Sequence, residues 1–99
     1  MKIFSWFDAG AARECGVSLA KLVLKELPAE TSINEKKFAI KADKTLNHVT
    51  RELATFKQKN SLNAYQKAKL GNAFLWTLKD AGVNEAYADK LTEWLTLRM

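Results

Sequence analysis

Cysteine, histidine and proline each occur once in the 99 residues, and glycine only four times. The lone cysteine, Cys15, cannot close an intramolecular disulfide or build a multi-thiolate zinc site, and it suits a reducing compartment. The lone imidazole, His48, rules out His-rich metal sites and the paired Glu-x-x-His pattern of di-iron bundles, so the sequence implies no metal and no cofactor. With so few turn residues, a many-stranded sandwich or barrel is excluded, because such folds need a turn signal about every ten residues. Long hydrophobic runs are missing as well. Met1-Lys2-Ile3-Phe4-Ser5-Trp6-Phe7 is interrupted by Asp8 before a secretory h-region or a membrane span can form. A soluble, cytoplasmic protein is expected.

What the chain does contain is apolar and periodic. Its apolar fraction is 47%, with ten aromatic residues, enough to fill the core of one domain over residues 1–99. Four helices are predicted, at about 8–27, 33–60, 63–81 and 84–98. Asp8 is placed to cap the first, and Pro28 disfavours helical geometry at Leu27. Ala12, Cys15, Leu19, Leu22, Val23 and Leu27 form its apolar face. Ser32 and Glu35 have the spacing of a capping box for the second helix, which runs without Gly or Pro and repeats Phe38, Ala42, Leu46, Val49, Leu53 and Phe56 at helical steps. The third follows a break at Asn60-Ser61-Leu62-Asn63, with Ala64, Ala68, Gly71, Leu75 and Leu78 on one stripe that Leu70 and Phe74 widen. Ala68 and Gly71 are expected to let another helix approach closely. Gly82 stands where a left-handed cap belongs, and Asn84 can cap the fourth helix. That helix turns Tyr87, Ala88, Leu91, Trp94 and Leu95 inward and the acidic ladder Glu85, Asp89 and Glu93 outward. Short connections favour an all-α, mainly antiparallel four-helix bundle; a more orthogonal packing of a short fourth helix is the alternative.

Charge is uneven along this pattern. Residues 36–69 hold nine Lys or Arg against Asp43 and Glu52, a local charge of +7 in a chain of net +5. Lys37, Lys41, Lys44, His48, Arg51, Thr55 and Lys59 fall in one stripe roughly 33 Å long, read as lying opposite the apolar face of helix two. Such a row can bind nucleic-acid phosphates, anionic lipid heads or an acidic partner, and it equally suits a plain solvated face. On helix three, Tyr65, Lys69, Asn72 and Trp76 follow one another at helical spacing away from the main stripe. Aromatic and basic side chains interleaved in this way suit a partner helix, a peptide side chain or a base, unless another helix or the N-terminal segment covers Tyr65 and Trp76.

The remaining features point away from chemistry. Phe4, Trp6 and Phe7 form an apolar hook expected to fold back over one end of the bundle, since exposed apolar clusters are uncommon on soluble monomers. Cys15 falls at the spacing of Leu19 and Leu22, which reads as a small buried hydrophobe, and His48 reads as a surface histidine. No nucleophile and base are legible as a pair. The sequence therefore predicts a non-enzymatic helical module that binds another macromolecule. The candidate partner site is Tyr65, Lys69, Asn72 and Trp76, with the oppositely charged helices two and four available for complementary contacts or head-to-tail self-association. The alternative is a nucleic-acid-binding accessory protein using Lys37, Lys41, Lys44, His48, Arg51 and Lys59.

Overall fold

A computed structural model describes residues 9–27 and 35–99, with side chains in the second helix described from Ala42 onward. Four helices account for almost all of these residues: α1 (Gly10–Glu26), α2 (Glu35–Lys59), α3 (Ala64–Asp80) and α4 (Glu85–Arg98). They form an all-α bundle, and among the described residues there is no strand. Each boundary lies within two residues of the position set by sequence.

The caps show why the boundaries fall there. Asn63 accepts from the Gln66 amide at 2.8 Å while Gln66 Oε1 accepts from the Asn63 amide at 3.0 Å, closing a reciprocal capping box at the start of α3. At its other end Gly82 adopts φ +90°, and the amides of Gly82 and Val83 donate back to Lys79 and Leu78. These paired bonds are a Schellman motif, which needs a left-handed residue at that position. Asn84 then caps α4 by accepting from the Tyr87 amide. The cap of α1 differs from expectation: Ala9 occupies the N-cap position with no side-chain hydrogen bond, one residue past Asp8. Asp8, the Phe4, Trp6 and Phe7 hook and Ser32 of the expected capping box lie outside the described residues.

Successive helices run in opposite directions. Glu26, at the end of α1, meets Thr45 and His48, whereas Ala11 at its start faces Phe56 and Lys59. Lys79 of α3 pairs with Glu85 and Asp89 of α4, while Gly71 approaches Thr96 and Met99. The most extensive seam, however, joins α1 to α3, which run in the same direction; α2 packs on α1, and α4 on α3. The molecule is elongated, 52 × 24 × 19 Å.

Gly16 explains the closeness of the central seam. A Cβ at this position would collide with the Leu70 carbonyl oxygen, with the Ala73 methyl 3.1 Å away. The expected closeness at Ala68 and Gly71 is not where the backbones meet. Gly71 has ordinary van der Waals room for a methyl, and Ala64 and Ala68 are exposed. The buried line of α3 is instead Leu70, Phe74 and Leu78, packed with Ala12, Leu19, Ala20 and Val23 of α1 and with Leu91 and Leu95 of α4. From α2 come Val49 and Leu53, together with one buried polar residue, Thr45.

Candidate interaction surface

Helical spacing places Tyr65, Lys69, Asn72 and Trp76 along one face of α3, roughly 16 Å from end to end. The core line of α3 points elsewhere, so this face is left at the surface beside α1. Trp76 is 55% exposed, against 0% for Phe74 two residues earlier. None of the described helices covers Trp76; the N-terminal segment, the other element that could cover it, lies outside the described residues. Tyr65 and Lys69 are half-buried and Asn72 is exposed. The Lys69 ammonium lies 5.3 Å from the centre of the Tyr65 ring, and the Lys79 ammonium 5.2 Å from Trp76. Both are cation–π distances, which orient the cation without neutralising it.

A residue from α1 joins this patch. Arg13 lines a cavity of about 160 Å³ together with Lys69, Asn72, Ala73 and Trp76. Its participation depends on the register of α1 against α3, set by Gly16 on the Leu70 carbonyl three residues further along. No periodicity within one helix could reveal that register. Lys79 belongs to the same neighbourhood but has its charge answered by Glu85 at 3.6 Å and Asp89 at 3.9 Å. The acidic ladder of α4 is exposed, and Glu85 and Asp89 thus serve partly to hold Lys79.

The basic row of α2 is placed differently from expectation. Lys44, Arg51, Thr55 and Lys59 are exposed, and Lys37 and Lys41 precede the residues whose side chains are described. The row does not lie opposite the apolar face: at 100° per residue its centre is about 110° around the helix from the line of Val49, Thr45 and Leu53, so it flanks α1. His48 shows the consequence. Its Nδ1 is 2.9 Å from Glu26 Oε2 on α1, and its Nε2 is 3.7 Å from Glu52. A carboxylate only accepts, so Nδ1 carries the proton in this contact. The Thr45 hydroxyl donates to the second Glu26 oxygen at 3.1 Å. Hydrogen bonding from His48, supplemented by Thr45, holds the Glu26 carboxyl below its ordinary range. His48 is thus a bridge between helices rather than a free surface imidazole, and no signal within helix two alone indicated Glu26 as its partner.

Between α1 and α2 runs a groove of about 620 Å³, floored by Leu19, Leu22 and Phe56 and rimmed by Glu14, His48, Glu52 and Lys59. Cys15 lines it, half-buried rather than sealed in the core. Burial, and secondarily the nearby Glu52 charge, push the Cys15 thiol up to about 11, the opposite of what an activated nucleophile needs. A second groove, about 450 Å³, separates α3 from α4 and accounts for Ala64, Ala68 and Gly71, which line it.

Among the described residues, no helix is long and apolar enough to cross a membrane, and no group of three or more His, Cys, Asp or Glu could hold a metal ion. No protein-family model, curated protein or solved structure matches the chain. What can be said of its function comes from the side chains described above.

Proposed function

We propose that this protein is a non-catalytic interaction module of the cytoplasm, which docks a partner protein on the α3 face formed by Tyr65, Lys69, Asn72 and Trp76. The observation that carries the reading is the exposure of Trp76 on a helix that buries Leu70, Phe74 and Leu78. An exposed indole beside ordered cations is the composition of an energetic anchor at protein interfaces, where Trp, Tyr and Arg predominate. Capture of partners from the native cell, with nuclease and salt varied, tests it. The expected result is a nuclease-resistant protein partner lost with Trp76→Ala; an identical set of partners for the wild type and this variant overturns it.

The second reading, nucleic-acid binding along α2, is supported by the exposure of Lys44, Arg51 and Lys59 on one flank. Against it stand Glu26 and Glu52, whose carboxylates occupy His48 in the middle of that row. Phosphate binding of this kind falls steeply with salt. Retardation of DNA or RNA at low salt, abolished by Lys44→Glu with Arg51→Glu and unaffected by Trp76→Ala, would favour it over docking at α3.

A further inference from the structure

Resting on the docking reading, we infer that the partner surface meeting Trp76 is acidic: an apolar side chain set on the indole, with carboxylates reaching Arg13 and Lys69. The inference comes from which charges on this face are already answered. Lys79 is held by Glu85 and Asp89. Arg13 and Lys69 have no carboxylate at ion-pair distance among the described residues, although they converge on the same cavity from two helices. The Tyr65 ring orients the Lys69 ammonium but leaves its charge intact.

The cavity between them is about 160 Å³ and offers the Asn72 amide as a further hydrogen-bond donor, with room for a single side chain. The patch also has a polarity. Its open positive charge lies on the N-terminal side of Trp76, at Arg13 and Lys69, whereas the exposed Asp80 lies one turn beyond Trp76 on the C-terminal side. A bound segment therefore places its carboxylates toward Lys69 and keeps them away from Asp80. Complementary charge of this kind sets orientation and speeds encounter, and it weakens with salt.

The test uses the full chain, isotope-labelled, and two short helix-forming peptides. Each peptide has one central leucine; the flanking turns carry glutamate in one and lysine in the other. The indole resonance of Trp76, assigned by its loss in Trp76→Phe, reports binding. The glutamate peptide is expected to move that resonance and the Arg13 and Lys69 amides, and to bind about tenfold more tightly than the lysine peptide. Added salt should narrow the gap, and Arg13→Glu with Lys69→Glu should reverse the preference while thermal melting stays unchanged. Equal or tighter binding of the lysine peptide overturns the inference, as does a Trp76 resonance that neither peptide moves. Those results leave the docking face to the capture experiment, which does not depend on the partner's charge. Capture unaffected by Trp76→Ala removes the reading and the inference together.

Discussion

At the scale of single residues, Glu26 and Trp76 have opposite relations to solvent and to the fold. Glu26 gains two partners on α2 when the chain folds, so its carboxyl is more acidic folded than unfolded. The sign follows from linkage: a lowered folded value gives stability that is complete above the ordinary value of 4.5 and disappears as pH falls through the folded one. Thermal melting followed from neutral to acid pH should show a steeper decline below about 4.5 in the wild type than in Glu26→Gln, which has no charge to lose there. Trp76 makes little contribution to the core, and Trp76→Ala should lower stability by less than about 1 kcal/mol in urea titration. A much larger loss would place the indole among the structural residues. The spacing of Tyr65, Lys69, Asn72 and Trp76 was legible because helical periodicity groups residues within one element. Arg13 and the Glu26–His48 contact were not, because both depend on how two helices align, and a chain of apolar repeats allows several alignments.

At the scale of elements, ends were more legible than faces. Asn63, Gly82 and Asn84 act through bonds to residues within five positions of themselves, so local chemistry determines them. Asn63→Ala should therefore cost about 1 kcal/mol, read as an earlier urea midpoint at unchanged slope. Faces depend on neighbours. Helix three carries two apolar lines, one of small residues and one of large, and only packing decides which is buried. Leu70, Phe74 and Leu78 take the interior because they meet α1, while Ala64 and Ala68 remain at a groove beside α4. The meeting of α1 and α3 depends on Gly16, whose missing side chain faces a carbonyl that cannot turn aside. Gly16→Ala should cost roughly 1–3 kcal/mol, more than its gain in helix propensity, because the two backbones must separate to admit the methyl. A stability equal to or above that of the wild type would show the seam to be looser than this geometry requires.

At the scale of the whole molecule, α1 and α3 form a central pair with α2 and α4 outside it. Opening free energies should follow that order. Native-state amide exchange is expected to be slowest in the middle of α1 and α3, around Ala20 and Phe74, and faster on the outer side of α2 near Ala54 and Gln58. Uniform protection across all four helices would contradict it. The same arrangement bears on synthesis. Gly16 and Leu70 are about 54 positions apart, so their union closes a loop whose entropy alone amounts to about 3.5 kcal/mol. As the chain leaves the ribosome, α1 meets α2 before α3 follows. A nascent protein stalled before Leu70 would hold its first two helices loosely and leave Leu19 and Val23 open to chaperones. Release of a few dozen more residues would then convert that pair into a finished bundle.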